Sequence, residues 1–390
     1  MKTKPARQTV TISGLFAQDV PNGYLFPEYP SSFQKNAASF NDEKYFIHDF
    51  PAPPVMYLDY LRPIRVCPVL GNDIPILLRR EPSIPLQTHW RKWVPDYQEP
   101  DIRVYSKENT GDAPLIMVFP HQNISREKHA LDPDLHYELL SKETVQELGA
   151  PCPKHLSLSD YTTPCMLKAT HGLFCYGTYM AKNEEEAQEA LRELTEEMCC
   201  ERPVVTEVIP EVTGNYCVQF YLHRNGDTHW VGVSRQIIGE SLSWGGGVVD
   251  AREQQRLKDL LIKTVMPVKE YLYKKKFFGF VGMDILTNKD GQFVIDLNPR
   301  INGSTPLLMM SPVMAEKGFP VGVMLSNCRF PFDVKKLVSV VDELNSTGKA
   351  LVVILGAENG EWGCEGYICV FAVDEMEAKE VHEKLVTEAH

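Results

Sequence analysis

The chain lacks a long apolar stretch, since none of its hydrophobic runs approaches the ~18 residues of a membrane helix. Its first twenty residues, MKTKPARQTVTISGLFAQDV, also lack the apolar core of a secretory signal. With 390 residues, 43% of them hydrophobic, the chain is long enough to bury the cores of more than one domain. We therefore expect a globular protein of the cytoplasm that does not act at a membrane.

The sequence also lacks cysteine pairs with metal-binding spacing, and it has no excess of positive charge. The ten cysteines include no Cys-x-x-Cys, and Cys199 directly precedes Cys200, a pattern that fits neither a disulfide framework nor a zinc ribbon. We expect reduced thiols. The formal charge of −12 argues against nucleic acid or an anionic membrane as the main partner.

The N-terminal part has little that predicts long regular elements. Residues 1–55 are rich in proline, serine and asparagine, and we expect an arm that wraps another domain. Short apolar runs then predict strands of a small α/β domain, at 55–58, 74–78, 102–105 and 115–119. No Gly-x-Gly-x-x-Gly follows any of these runs. The segment 89–93, HWRKW, has two interpretations: contact with a base or a carboxylate substrate, or a loop whose tryptophans pack inward.

The middle of the chain alternates strands and helices. An amphipathic helix over 135–148 carries Lys142, and a strand, a glycine-containing loop and a return strand follow within 166–181. Asn183 is a good N-cap for a helix over 184–201. Antiparallel strands of one sheet are predicted next, at 204–209, 216–222 and 230–233. The triple glycine within 243–247 predicts a mobile, substrate-side loop, and a long helix covers 253–275.

The stretch 277–305, FFGFVGMDILTNKDGQFVIDLNPRINGST, predicts a β-hairpin, because an Asp-Gly turn lies between two β-prone runs. Asp284 lies on the first strand and Asp296 on the second. Asn298 and Arg300 follow Asp296 at spacings of two, so their side chains share one face of an extended chain. Two carboxylates and an amide oxygen are ligands for a hard cation, so the hairpin predicts a magnesium site beside an arginine. Strands at 351–355 and 366–373 and a helix at 375–385 predict a small closing subdomain.

A strand lysine, a glycine loop and a site of two acids and an amide are the parts of an enzyme that uses ATP. Their order over residues 135–385 resembles the ATP-grasp superfamily, whose members mostly join a carboxylate to an amine through an acyl phosphate. The resemblance implies a mixed α/β and α+β fold, with a small α/β pre-ATP-grasp domain before the ATP-grasp fold. The implied bounds are 1–134 for that first domain, 135–203 for the lid subdomain and 204–390 for the catalytic domain with its closing strand-strand-helix unit.

The resemblance also implies roles for individual residues. It implies that ATP phosphates bind Lys142, Lys168 and the loop from His171 and Gly172 to Gly177. It implies that a hinge binds the adenine edge through Glu207, Val208 and Ile209, with Glu211 placed to bind the ribose. The metal ligands correspond to Asp284, Asp296 and Asn298, for Mg²⁺ or alternatively Mn²⁺, and the catalytic residues to Arg300 and Lys168.

Two of the site residues have open alternatives. Arg235 follows a predicted strand and is either a catalytic-site arginine that holds the substrate carboxylate or a surface arginine. His171 either donates to a phosphate or packs in its loop. The sequence departs from the family at three positions. Asp296 stands where the family usually has a metal-binding glutamate. Asn215 stands where many members have an acid after the hinge, and Gly282 stands where some members have an arginine.

The function that follows is an ADP-forming ligase that joins small-molecule carboxylate and amine substrates, of the kind that condenses amino acids or short peptides. The alternatives are a non-catalytic ATP-binding regulatory protein, or a carboxylating or kinase-like enzyme on the same ATP site. The sequence names neither substrate, and it leaves the oligomeric state open between a monomer and a homodimer.

Overall fold

A computed structural model describes residues 9–29, 44–48, 57–106, 111–239 and 242–387. Three sheets organise this part of the chain: a parallel sheet of four strands, a small antiparallel sheet of four strands and an antiparallel sheet of eight strands. No helix in these ranges is both long and apolar enough to cross a bilayer. The prediction of mixed α/β and α+β structure is confirmed.

The N-terminal domain is built around the parallel sheet, in the order β3-β2-β1-β4. Its elements are α1 (Ile12–Asp19), β1 (Tyr24–Phe26), α2 (Tyr57–Ile64), β2 (Ile76–Leu78), α3 (Ile84–Trp93), β3 (Ile102–Val104) and β4 (Leu115–Met117). Thr11 caps α1 by accepting a hydrogen bond from the Gly14 backbone N–H at 3.1 Å. The prediction of an arm over 1–55 is corrected within the described residues, because β1 is a central strand of this sheet.

Two further N-terminal predictions need correction. Tyr57 and Leu58 begin the helix α2 instead of a strand, and Val55 and Met56 lie outside the described residues. The segment 89–93 belongs to α3 and is not a loop. The inward packing of its first tryptophan is confirmed, since Trp90 is fully buried and its Nε1 donates to the Ile354 carbonyl at 2.7 Å. This bond ties the N-terminal domain to the large sheet.

The small sheet has the order β5-β8-β6-β7. Its strands and the neighbouring helices are α4 (Pro133–Leu139), a 3₁₀ helix (Lys142–Glu147), β5 (His155–Leu156), β6 (Cys165–Lys168), β7 (Thr178–Ala181), α5 (Glu184–Arg192), a π-helical turn (Glu193–Glu197) and β8 (Val204–Glu207). Asn183 caps α5 as predicted. The single helix predicted over 135–148 breaks after Leu139, because the Ser141 side chain caps a separate 3₁₀ helix that begins at Lys142.

The large sheet has the order β13-β12-β9-β10-β11-β14-β16-β15. Its strands and helices are β9 (Gly214–Leu222), β10 (Thr228–Ile238), β11 (Trp244–Asp250), α6 (Gln254–Lys274), β12 (Gly279–Asn288), β13 (Gly291–Asn298), α7 (Thr305–Glu316), β14 (Val321–Phe330), α8 (Val334–Ser346), β15 (Leu351–Gly360), β16 (Gly363–Ala372) and α9 (Glu375–Thr387). The predicted hairpin is confirmed as β12 and β13, with Asn288 opposite Gly291.

Two predictions about the strands are wrong. Gly245 to Gly247 lie within β11, and Gly246 and Gly247 pair with both β10 and β14, so the triple glycine is not a loop. The segment 204–209 does not share a sheet with the next two predicted strands, because β8 pairs with β6 and β5 in the small sheet. The strands β15 and β16 of the predicted closing subdomain extend the large sheet through β14. The exact domain bounds stay a prediction.

Candidate active site

A cavity of about 340 Å³ separates the small sheet from the large one. One wall contains the lysines and the loop between β6 and β7, and the other contains β12, β13 and the segment that follows β13. Most of the residues that the sequence predicts as a site line this cavity together: Lys142, Lys168, Gly172, Glu207, Val208, Ile209, Asp284, Asp296, Asn298 and Arg300. Their assigned roles remain predictions, but their proximity is a structural fact.

Asp284 and Asp296 face each other across the hairpin. They are directly paired residues of β12 and β13, and the register shifts immediately after Asp284. Burial, together with the neighbouring Asp296 carboxylate, raises the pKa of the Asp284 carboxyl to about 7, while Lys142 opposes both effects. Two neighbouring carboxylates in a partly buried position are a favourable site for a cation.

Two lysines approach these acids from the small-sheet side of the cavity. The Lys142 Nζ lies 2.6 Å from both carboxylate oxygens of Asp296. The Lys168 Nζ donates to the Ile295 carbonyl at 3.2 Å, and burial lowers the pKa of this lysine despite the Asp296 charge. Both ammonium groups therefore sit where they can contact an anion bound beside the acid pair.

Asn298 and Arg300 continue from β13 on the same face, as the spacing of two predicts. The Asn298 Nδ2 lies 3.4 Å from an Asp296 oxygen, and the Arg300 Nη2 donates to the Asn298 Oδ1 at 2.9 Å. The Arg300 guanidinium lies over the ring of Phe119, 5.2 Å from its centroid, which brings the N-terminal domain to this end of the cavity. The amide oxygen of Asn298 is thus oriented by the arginine beside it.

The residues fit a magnesium site that is completed by a ligand. Within the described ranges, no group of three or more His, Cys, Asp or Glu side chains is arranged to hold a metal alone. Asp284, Asp296 and Asn298 supply two carboxylates and one amide oxygen, which matches the way Mg²⁺ is held by one or two carboxylates together with substrate phosphates and water. The direct pairing of the two acids across the hairpin, in the cavity wall, is the observation that supports this fit.

The opposite end of the cavity is apolar and bordered by the end of β8. Glu207 lines it, with its Oε1 accepting from the Lys154 backbone N–H at 3.0 Å. Val208 and Ile209 follow as extended chain after the strand. The other residues at this end are mostly apolar, namely Met166, Met180, Val212 and Leu286. A mostly apolar lining of this kind is suited to a heterocycle such as a nucleobase.

The loop between β6 and β7 contributes only part of its predicted residues to the cavity. Gly172 lines it, together with Phe174, Cys175 and Tyr176. Gly177 lies beneath the loop, where a Cβ would come within 2.8 Å of the Ala169 Cβ and where φ is +68°. Its glycine is therefore needed for packing and for the backbone conformation.

The structure does not bring three of the predicted side chains into the cavity. His171 stacks on Tyr137 at 3.9 Å between ring centroids, its Nε2 lies 3.1 Å from the Tyr137 carbonyl oxygen, and burial lowers its pKa to about 4, so the packing interpretation fits its position. Glu211 is exposed and forms an ion pair with Lys289 at 2.8 Å. Arg235 does not line the cavity. It forms an ion pair with Glu375 on α9 at 2.6 Å, as a surface arginine would.

Sequence reasoning missed several residues that line the cavity: Arg65, Gln236, Trp244, Asn302 and Ser304. Gln236 is the neighbour of the predicted Arg235, and the alternation of a strand explains why the adjacent residue faces the cavity instead. Asn302 and Ser304 belong to the NPRINGST segment, so the signal for them was present. Arg65 comes from the end of α2, and no local pattern marks it.

The comparisons with known proteins agree with this geometry. Residues 153–298 match the sequence model of a family described as L-aspartate–L-methionine ligase, ATP grasp. The chain is similar in structure to an N5-carboxyaminoimidazole ribonucleotide synthetase in complex with ADP, at 14% identity over 94% of this chain and 97% of that one, with a TM-score of 0.57. It is similar to the L-amino acid ligase from Bacillus licheniformis, at 12% identity over 95% and 98% of the two chains, with a TM-score of 0.53.

A third solved structure, the N5-carboxyaminoimidazole ribonucleotide synthetase from Thermus thermophilus, is similar over 81% of this chain and 91% of that one, at 15% identity and a TM-score of 0.51. At such identities the structural likeness shows the fold. The chain has an ATP-grasp fold preceded by a pre-ATP-grasp domain.

Proposed function

We propose that this protein is an ADP-forming ligase that activates one amino acid at its carboxylate and joins it to the amine of a second. The observation that carries the proposal is the cluster of Lys142, Lys168, Asp284, Asp296 and Arg300 on facing walls of one cavity. The match of residues 153–298 to the aspartate–methionine family supports L-aspartate and L-methionine as the first substrate pair to test.

The charges of the cavity suit this chemistry. Its lining cations are Lys142, Lys168, Arg300 and Arg65, and they outnumber the lining acids Glu207, Asp284 and Asp296. A nucleoside triphosphate and a carboxylate bring more negative charge than these cations carry, and Mg²⁺ held by Asp284, Asp296 and Asn298 supplies further neutralisation of the phosphates. ATP would place its base in the apolar end beside Ile209 and its phosphates beside the lysines.

The reaction needs no protein nucleophile. The substrate carboxylate attacks the γ-phosphate, with Lys168 offsetting the charge that develops, and ADP leaves. The amine then attacks the acyl phosphate, Arg300 stabilises the oxyanion, and inorganic phosphate departs. Positioning and electrostatic stabilisation supply most of the rate enhancement in such phosphoryl and acyl transfers.

The decisive experiment is a phosphate-release screen of amino acids, singly and in pairs, with ATP and Mg²⁺. We expect release that needs both members of a pair, and we expect the dipeptide to form in equal amount. Asp296→Ala provides the comparison, because it removes one metal ligand. Phosphate release that requires bicarbonate would indicate a carboxylating enzyme, and release that does not depend on the amine would indicate an ATPase. ATP binding without phosphate release for any pair would favour a regulatory protein.

A further inference from the structure

Arg65 is a buried cation that points into the cavity from the N-terminal domain. It directly follows α2, only 1% of its surface is exposed, and it lines the same cavity as the lysines and the acid pair. Arginine is seldom buried without an acid to pair with. The contacts of Arg65 therefore decide what it does.

The partners of Arg65 leave most of its donors unused. Its Nη2 donates to the Tyr29 hydroxyl at 2.6 Å, and its guanidinium lies 5.5 Å from the Tyr29 ring centroid and 5.3 Å from that of Tyr367. Its Nε and Nη1 are buried and have no hydrogen-bond partner among the described residues. In these ranges it also forms no ion pair.

A buried guanidinium with unpaired donors lowers the stability of the folded protein. A ligand that accepts hydrogen bonds from those donors would remove this cost. Leaving charged donors desolvated and unpaired is strongly unfavourable. The two aromatic rings contribute cation–π attraction, which offsets only part of that cost. A carboxylate accepts hydrogen bonds from two guanidinium nitrogens at once, so it satisfies both the charge and the geometry of the unused donors.

Arg65 and Arg300 each contact a different ring of one aromatic pair. Arg300 lies over the Phe119 ring, the Phe119 and Tyr29 rings meet edge to face at 5.2 Å, and Arg65 lies over Tyr29. Arg300 is hydrogen-bonded to Asn298 beside the acid pair, where phosphate chemistry is expected. The cavity thus has two separate guanidinium groups, and Arg300 is the one hydrogen-bonded to a residue beside the acid pair.

Aromatic side chains also connect Arg65 to an apolar wall of the cavity. Arg62 lies between the rings of Tyr29 and Phe174, at 5.7 and 4.7 Å from their centroids, and Phe174 lies 6.1 Å from Trp244. Both Phe174 and Trp244 line the cavity. Arg65, Phe174 and Trp244 therefore face one cavity, where the two rings are available to the apolar side chain of a ligand.

We propose that Arg65 binds the carboxylate of the amino acid that supplies the amine, and that Phe174 and Trp244 receive its apolar side chain. This inference rests on the proposed function. An amino acid held at its carboxylate keeps its amino group free to attack, and its carboxylate is the one that survives into the product. The Arg300 side of the Tyr29–Phe119 pair is left for the carboxylate that is activated.

The first test compares Arg65→Met with wild type in steady-state kinetics. We expect KM for L-methionine to rise about a hundredfold in the variant, the size expected when a buried charged contact to a ligand is lost, with KM for ATP unchanged. Wild type should prefer L-methionine to L-methioninamide by a similar factor, and the variant should lose that preference. Arg80→Met is the matched control, since Arg80 is half-exposed, pairs with Glu358 at 2.6 Å and does not line the cavity.

The second test measures binding without turnover, so that it stands even if ligation is never observed. Thermal unfolding is followed with a non-hydrolysable ATP analogue, with and without L-methionine, L-leucine or L-phenylalanine. We expect wild type to be stabilised by at least one of these amino acids and not by its amide, and Arg65→Met to show no such shift.

The same measurement separates a binding role from a structural one. Without ligand, Arg65→Met should unfold no earlier than wild type, because it removes an unpaired buried charge. A variant that is destabilised and loses ATP and amino-acid binding together would overturn the proposal in favour of a structural arginine. Equal shifts with the acid and the amide, or no shift in wild type with any of the three, would also overturn it. If no phosphate is released but the amino acid still stabilises wild type and its amide does not, the proposed ligase activity would be contradicted and the proposed role of Arg65 would not.

Discussion

The Lys142 Nζ lies 2.6 Å from both carboxylate oxygens of Asp296, so in this conformation a predicted phosphate ligand is bound to a predicted metal ligand. Both side chains are mostly buried, with 11% and 21% of their surfaces exposed. Each group would need a new partner if the pair opened. Simultaneous arrival of an anion and a cation supplies both partners, so the pair favours a metal-bound nucleotide over either component alone.

Asp296→Asn is expected to separate catalysis from nucleotide binding. The change removes a metal ligand, and we expect phosphate release with Mg²⁺ to fall by at least about a hundredfold. It also releases Lys142 from its carboxylate, so ADP binding in EDTA should become tighter. Calorimetric titration with and without metal measures the second effect. Asp290→Asn, in the turn of the same hairpin and away from the cavity, is the control, and unchanged release in Asp296→Asn would refute a metal role for this residue.

Gly282→Ala tests whether the segment after β13 is held in place from β12. A Cβ at position 282 would lie 2.4 to 2.6 Å from the side-chain amide of Asn302, which is buried and donates to the Arg300 carbonyl at 2.6 Å. We expect the variant to lose about 1–3 kcal/mol in the free energy of unfolding, the usual cost of overpacking, and to lose activity because Arg300 shifts.

Gly247→Ala, in the same sheet, is the matched control for this change. The nearest atoms to a Cβ there are 3.5 Å away, so urea denaturation should find its stability within a few tenths of a kcal/mol of wild type. Wild-type stability in Gly282→Ala would mean that Asn302 moves aside at no cost and does not hold Arg300 in position.

His89 should make the stability of the protein depend on pH. It is buried in α3, its Nε2 accepts from the Ile354 backbone N–H at 2.9 Å, and burial lowers its pKa to about 4, while Asp342 raises the pKa and Lys92 lowers it. Because the unfolded chain binds the proton first, the contribution of His89 is complete above pH ~6.5 and is lost as the pH falls toward 4, by at most about 1.4 kcal/mol per pH unit.

The comparison that isolates this effect is His89→Gln, whose amide oxygen can accept the same hydrogen bond without titrating. Urea unfolding of both proteins at pH 7.5, 6 and 5 removes the contribution of the other histidines by difference. We expect the gap between them to shift in favour of the variant as the pH falls. A gap that stays constant would mean that folding does not lower the pKa of His89.

Local patterns were sufficient for the hairpin and its ligand face, because an Asp-Gly turn and a spacing of two are properties of neighbouring residues. Asp284, Asp296, Asn298 and Arg300 were therefore predictable as a group. The same holds for the cap at Asn183, which depends on the four residues from Asn183 to Glu186.

The features that sequence reasoning missed depend on distant contacts. The glycines of β11 form a strand because β10 and β14 supply partners on both sides, which outweighs the flexibility of glycine. Arg65 reaches the cavity only because α2 packs on β15, where Gly356 leaves room for Ile64. Neither relationship has a signal within the local sequence.

Arg235 and Gln236 provide a direct test of which side of β10 faces the substrate. Arg235 pairs with Glu375, and the two side chains are 46% and 35% exposed, so Arg235→Ala should cost no more than about 1 kcal/mol of stability. Its KM values should match wild type. Gln236 lines the cavity and donates to the Asn215 Oδ1 at 3.1 Å, so Gln236→Ala should raise KM for ATP or an amino acid several-fold with little change in stability. The reverse pattern, with activity lost in Arg235→Ala alone, would restore Arg235 to the catalytic site and would require α9 to move away during turnover.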